Sequence, residues 1–384
     1  MVDFIFDDFP SLQWYDWVLL GIFVLLYLLK IIYLFVFTAR VLYQKKSVQT
    51  GNVPLSLILT YRNEEEKLNK FLPQILSKLN PGSEVVAVDD YSQDNSLSAL
   101  GVIRNTHPNL KVSSLNQEIR YSEKMAKNIA LKAASNSWVM VVPPGMGEGY
   151  VDWLATISSK INEGKEVVLN YSNVKCQRGF FQLLFRVECF FQQQKSFGFI
   201  LNRLPYLNFE ENIAFKKEKY FESGGFGQHV NEYFANFELV INDFIKKKKT
   251  ILNYCSETAI RKEMSISKTD YFELLKKEVR IRKNLSFSIR LVLFCEKWLT
   301  LLFYLFVVFT TVYFWKFWPV ISGLILLYII AFAVIIKISL VRLTERKLFL
   351  SSLVYAFFMP IFKLAYQAFF HYNSRSKQKW TSKK

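Results

Sequence analysis

The sequence predicts an α/β domain built on a mostly parallel sheet and flanked at both ends by transmembrane helices. Three observations carry this expectation. Hydrophobic residues make up 51% of the 384 residues and concentrate at the two ends of the chain. The middle alternates short β-rich runs with helical patterns. Lysines and arginines crowd beside the apolar runs.

The first apolar run, about residues 17–37, is interrupted only by Lys30 and is long enough to span a bilayer. The segment before it is acidic (Asp3, Asp7, Asp8) and lacks a basic start or a small-residue cleavage site, so it reads as an anchor rather than a removable signal. Arg40, Lys45 and Lys46 follow and place the middle of the chain in the cytoplasm. Residues 1–44 are thus expected as the anchor, 45–290 as a cytoplasmic domain and 291–384 as a C-terminal membrane region.

Within the middle, Leu55–Thr60, Val85–Asp89, Trp138–Val142 and Glu166–Asn170 read as strands, and Glu64–Lys78, Asp94–Thr106 and Glu123–Ala134 as intervening helices. Continuous apolar strands separated by helices imply a parallel sheet covered on both faces. Ligands of such sheets sit beyond the carboxyl ends of the strands. Further on, Trp298–Trp315 and Phe317–Ile336 read as two spans split by a turn at Lys316–Pro319. Residues 348–370 are apolar enough to cross, but Pro360 and Lys363 interrupt them and a basic tail follows (Arg375, Lys377, Lys379, Lys383, Lys384). Exporting that tail opposes the positive-inside bias, so a re-entrant or interfacial segment is expected.

Composition excludes several function classes. The net charge of +17 invites a nucleic-acid reading, but the basic residues (Arg280, Arg282, Lys283 and Arg290 among them) border apolar segments, as anionic headgroups require. No zinc-finger spacing or aromatic-basic RNA signature accompanies them, so nucleic acid is not an expected partner. Cys176, Cys189, Cys255 and Cys295 have no metal-ligand spacing and read as reduced packing residues. With only His107, His229 and His371, neither a histidine metal centre nor Ser-His catalysis is expected.

The first strand ends in Thr60-Tyr61-Arg62-Asn63-Glu64-Glu65-Glu66 and the second in Val88-Asp89-Asp90-Tyr91-Ser92-Gln93-Asp94. A carboxylate at a strand end accepts hydrogen bonds from a nucleotide's base or ribose, and the same residues serve as turn and cap chemistry. Their pairing on consecutive strands is the specific signal. Together with Lys124 in Glu123-Lys124-Met125-Ala126-Lys127-Asn128-Ile129-Ala130-Leu131, and Trp153, Glu188, Asn212 and Gly224-Gly225-Phe226, these segments resemble family 2 glycosyltransferases from about Val53 to Leu285. The resemblance implies a GT-A-like nucleotide-diphospho-sugar transferase domain in a membrane-anchored protein of bacterial type. It further implies that Asp89 and Asp90 hold the nucleotide, that Glu64 supports the pocket, and that Lys124 approaches the diphosphate.

The chain departs from that family at three places. Where a D-x-D pair binds Mg²⁺ or Mn²⁺ on the diphosphate, it has Pro143-Pro144-Gly145, which offers no side-chain oxygen. Glu148 and Asp152 follow; Asp152 reads as a cap or surface residue and Glu148 as a weak substitute. An inverting transfer needs a carboxylate base for the acceptor hydroxyl. In Phe234-Ala235-Asn236-Phe237-Glu238-Leu239 only Glu238 keeps one, and a helix-start glutamate favoured by the dipole is an equally open reading. The Q-x-x-R-W-like motif is reduced to basic residues, of which Arg282 is the candidate donor ligand. Against these losses, Phe209-Glu210-Glu211-Asn212 brings two glutamates to a place where the family has small residues, and Glu211 is a second candidate base.

Two functions follow as expectations. One is a multi-pass inner-membrane glycosyltransferase moving a sugar from a nucleotide-diphosphate donor to a lipid-linked or cell-envelope acceptor, with Lys124 and Arg282 supplying positive charge in place of the cation. The other is a catalytically inactive relative that binds nucleotide sugar or scaffolds an envelope-glycan assembly with other proteins. A transporter is disfavoured, because few spans and no polar intramembrane constellation are read from the sequence.

Overall fold

The structure, a computed structural model, describes residues 13–43, 51–118, 121–146, 152–161 and 163–373. Asp3, Asp7, Asp8, Lys45, Lys46, Glu148 and the basic tail from Arg375 onward lie outside the described residues. The chain divides into two compact units: residues 36–289 with 338–348, and residues 1–35, 290–337 and 349–384.

The first unit is an α/β sandwich. Its strands are β1 (Leu55–Tyr61), β2 (Glu84–Asp89), β3 (Leu110–Ser114), β4 (Trp138–Val141), β5 (Val167–Asn170), β6 (Ser172–Val174), β7 (Ile213–Lys216), β8 (Thr250–Asn253) and β9 (Ile260–Lys262). Seven of them form one sheet in the order β3-β2-β1-β4-β7-β5-β8, and β6 pairs with β9 in parallel beside it. All contacts in the large sheet are parallel except those of β7, which runs against β4 and β5. β1 and β2 are apolar along nearly their whole length because helices cover both faces, as a parallel sheet requires. Leu57, Val85, Ala87, Met140, Val168 and Ala214 pack into one core with Leu68 and Leu72 of the helix Glu65–Leu76 and Leu100 of the helix Ser96–Thr106. Truncating a residue as completely enclosed as Leu57 would cost about 2–5 kcal/mol.

Register places the site. Tyr61 lies opposite Asp89, so β1 and β2 end together. Because β7 is antiparallel, its first residue, Ile213, lies opposite Val141 at the end of β4. The turn carrying Glu210, Glu211 and Asn212 is thereby delivered to the edge where β1, β2 and β4 end. The expected strands and helices are all present within a few residues of their expected limits, and β3, β6, β7, β8 and β9 are additional.

The second unit holds long apolar helices. Among the described residues four helical segments are long and apolar enough to cross a membrane: Trp14–Tyr43, Phe287–Tyr313, Trp315–Arg342 and Arg346–Phe369. The expected turn near Lys316 is a short 3₁₀ segment, Trp315–Phe317. The last segment, expected as re-entrant or interfacial, is a single helix, Phe349–Asn373, with Pro360 inside it. Phe23, Leu26 and Tyr27 pack against Phe303, Phe314 and Ile321. Two lysines sit in this unit with polar partners, Lys30 donating to the Thr300 hydroxyl (3.1 Å) and Lys297 to the Gln367 side-chain oxygen (2.7 Å), so the unit is less uniformly apolar than the sequence reading held.

Candidate functional site

The loops after β1 and β2 are laced together. Asn63 and Tyr91 both adopt left-handed backbone conformations (φ 54° and 57°), an uncommon state for such residues that concentrates at functional edges. The Asn63 amide donates to Ser92 Oγ (3.0 Å), the Asn63 side-chain oxygen accepts from the Gln93 amide (2.7 Å), and Ser96 Oγ accepts from the Glu64 amide (3.0 Å). Asp94 accepts from the Glu65 and Ser96 amides and so secures the starts of two helices. Burial opposes its ionisation, but these bonds hold its carboxyl below the usual range.

Asp89 and Asp90 divide the work at the end of β2. Asp89 accepts from the Ser92 amide (3.1 Å) and hydroxyl, which closes its own turn. Asp90 is buried, and among the described residues its Oδ1 has no hydrogen-bond partner. Burial pushes its carboxyl up, and Glu123 and Asp89 add to this, while Ser122 and Arg62 act in the opposite direction. A buried acceptor without a donor is costly, so an unfilled one at a strand end is where a ligand's hydroxyl or N–H fits.

The other candidate donor ligands are engaged by the protein. Glu64 pairs with Lys67 (2.6 Å). The Lys124 ammonium donates to the His229 carbonyl (2.6 Å) and to the Glu232 carbonyl, fixing the loop that follows Gly225. Burial lowers its pKa to about 8. Arg282 donates to Glu278 one turn earlier on the helix Lys268–Lys283 (2.6 Å). Each of the three is thus engaged within the protein in this conformation.

The two candidate bases occupy different environments. Glu238, at the start of the helix Phe237–Phe244, has both carboxylate oxygens shielded from solvent. Its nearest cation is Lys277, 2.7 Å away. Burial raises its pKa, Lys277 lowers it, and Glu210 raises it again; the net direction is upward. Glu210 lies 2.9 Å from Lys127 and 3.9 Å from Lys277, and Lys127 in turn lies 2.8 Å from Glu123. An alternating series Glu123–Lys127–Glu210–Lys277–Glu238 thus runs inward from an exposed glutamate to an enclosed one. Glu211 points elsewhere, to Lys262 at 2.5 Å, and both side chains stay partly open to solvent. Asn212 fixes that turn. Its φ is 60°, and its side-chain amide donates to the carbonyls of Tyr171 (2.7 Å) and Thr258 (2.8 Å).

The segment after β4 does not fit a divalent cation. Pro143, Pro144 and Gly145 supply no side-chain ligand. The Gly145 carbonyl accepts from the Glu263 amide (2.7 Å), and a Cβ on Gly145 would meet the Glu263 carbonyl at 2.9 Å, so a carboxylate-bearing residue has no room there. Glu263 itself is paired with Lys70 (2.9 Å) and Lys175. Among the described residues no three His, Cys, Asp or Glu side chains converge on a metal position. Asp152 stands at the start of the helix Trp153–Ser159 but its side chain makes no cap hydrogen bond there.

Sequence reasoning missed Lys127, Lys277 and Lys262. One of them left a trace: Ile260 is buried, and Lys262, two residues on, shares its side of β9.

The architecture matches solved structures. A mannosyltransferase from Pyrobaculum calidifontis, solved in complex with GDP-Man and Mn²⁺, aligns over 88% of this chain and 96% of its own at 17% identity, with a TM-score of 0.51. The fold is that of the nucleotide-diphospho-sugar transferases. The alignment is longer than the α/β unit and extends into the apolar helices. Two further matches are residues 1–349 of S. aureus TarS (20% identity, 62% of this chain, 68% of that one, TM-score 0.43) and glucosyl-3-phosphoglycerate synthase from Mycobacterium tuberculosis (16%, 61%, 80%, 0.42). No protein-family profile matches the sequence, and no curated protein is significantly similar to it.

Proposed function

We propose that the protein is a membrane-bound glycosyltransferase that takes a sugar from a nucleotide-diphosphate donor, with its α/β unit in the cytoplasm and a lipid-linked or envelope acceptor. The observation that carries this reading is the unpartnered, buried Asp90 Oδ1 at the joint end of β1 and β2, in a sheet whose ligands bind beyond its carboxyl ends. Asp90 accepts from the nucleoside, and the Asp89 turn holds it in position. The four apolar helices support a multi-pass membrane protein, and the lysines and arginines beside them support the inward orientation.

For proton removal the reading assigns Glu238, whose carboxyl burial shifts upward, over Glu211, which is paired with Lys262. Transfer by such a base inverts the anomeric centre. A second reading, binding without transfer, is favoured by one feature: both Glu238 oxygens are closed to solvent.

One assay separates the two. The full chain in lipid nanodiscs is titrated calorimetrically with UDP, GDP and their sugars, and donor consumption is followed with a membrane extract as acceptor. Binding with turnover that is lost in Glu238→Gln supports the transferase. Binding without turnover supports the inactive relative. No binding of any nucleotide or nucleotide sugar rejects both.

A further inference from the structure

The end of β4 is occupied by fixed ammonium groups where a cation would be expected. Met146, just past Gly145, forms a β-bridge with Lys262, so the lysine's backbone is tied to the segment that lacks metal ligands. Its ammonium is aimed at Glu211, beside the Val141–Ile213 pair that closes β4 against β7. Lys175 is tied to the same strand by its amide, which donates to the Lys262 carbonyl (2.9 Å). Lys67 and Lys70, from the helix after β1, complete the group, and the Lys67 Cδ would lie 3.1 Å from a Cβ on Gly145. Lys262 pairs here with Glu211 and Lys67 with Glu64, while Lys70 and Lys175 share Glu263.

The geometry points to Lys262, supported by Lys175, Lys70 and Lys67, as a built-in anion site that takes the diphosphate of a nucleoside diphosphate without a metal ion. This rests on the nucleotide reading above. β2, β1 and β4 are successive neighbours, so the end of β4 lies two strand spacings, about 10 Å, from Asp90. A nucleoside diphosphate whose nucleoside meets Asp90 reaches that far. The Lys262 side chain is 21% exposed, enough for a phosphate oxygen to reach its ammonium. Burial works against its charge, but Glu211 outweighs this and keeps it protonated. A fixed cation held by a carboxylate needs no reorganisation when an anion arrives.

The test is calorimetric titration of the full chain in nanodiscs, in EDTA, with inorganic pyrophosphate, UDP, GDP, uridine and guanosine. Lys262→Met is expected to weaken pyrophosphate and diphosphate binding by about tenfold or more while leaving nucleoside binding unchanged, and Lys262→Arg to retain most of the affinity. Glu211→Gln releases the ammonium and is expected to tighten pyrophosphate binding. Unchanged affinity in Lys262→Met overturns the site, as does weaker binding in Glu211→Gln or a tenfold gain on adding Mn²⁺ to the wild type. Pyrophosphate binding through Lys262 with no nucleotide binding rejects the nucleotide reading and keeps the anion site. Nucleotide binding indifferent to Lys262 does the reverse, and no binding at all rejects both.

Discussion

Lys277 lies 2.7 Å from Glu238 and 3.9 Å from Glu210, so one ammonium serves two buried carboxylates. Removing it leaves two enclosed acids facing each other. Lys277→Met should therefore destabilise the α/β unit by about 3–5 kcal/mol. Glu238→Gln should cost much less, since burial already opposes the Glu238 charge and Lys277 keeps Glu210 as a partner. Urea unfolding of the two variants checks the order.

The same pair gives stability two opposed pH dependences. Burial alone would raise the Glu210 carboxyl, but Lys127 and Lys277 hold it at about 2. A depressed folded pKa gives stability that is complete above the unfolded value, about 4.5, and is lost as pH falls toward 2. Glu238 is shifted upward, so between about 4.5 and its own folded pKa the folded state binds the extra proton and stability declines as pH rises. Glu210→Gln should remove the acid loss and Glu238→Gln the decline above it. Denaturation midpoints from pH 3 to 8 measure both.

Asp90→Asn keeps the shape of the site and removes its charge. Nucleoside and nucleoside diphosphate affinities should fall together, by about tenfold, because the lost interaction is with the nucleoside rather than the phosphates. Folding stability should be unchanged or higher, since the variant removes a buried acid that lacks one partner. Calorimetry with uridine, guanosine, UDP and GDP, and a thermal melt, read the two effects separately.

Glu345 is enclosed between Arg186 (2.5 Å) and Arg261 (2.8 Å). It anchors residues 338–348 to the helix Phe180–Leu201 and to β9. Glu345→Ala leaves two guanidinium groups without their shared carboxylate and should cost about 3–5 kcal/mol. Faster proteolysis near residues 338–348 should accompany the loss, and unaltered protease resistance would contradict the anchoring role.

Gly145→Asp tests whether the missing metal ligand can be restored by one substitution. The new Cβ meets the Glu263 carbonyl at 2.9 Å, and backbone must move to admit it. Destabilisation of about 1–3 kcal/mol with no gain in Mn²⁺ affinity is the expected outcome. Metal titration of the variant, alongside its unfolding curve, provides the check.

How much of this was legible follows from the range of each interaction. The strands that carry Leu57, Val85 and Met140 announce themselves because burial on both faces demands a continuous apolar run, a local property. The two loops ending β1 and β2 were legible for a similar reason, since turn chemistry lies within a few residues. The partners of Lys124 were not. The carbonyls that take up the Lys124 ammonium belong to residues about a hundred positions away, and no local pattern records them.

By itself the sequence determined the fold class, the apolar helices at both ends, the acidic strand ends and the absence of carboxylates at Pro143–Gly145. Each of these is written in neighbouring residues. Only the tertiary structure decided which charges meet. β7 runs antiparallel and brings Glu210 and Glu211 to the ligand edge, where they part company, one toward Lys127 and Lys277 and the other toward Lys262. Ion pairs act over a few ångströms in space and are indifferent to separation along the chain, so their partners emerge only once the strands are in register.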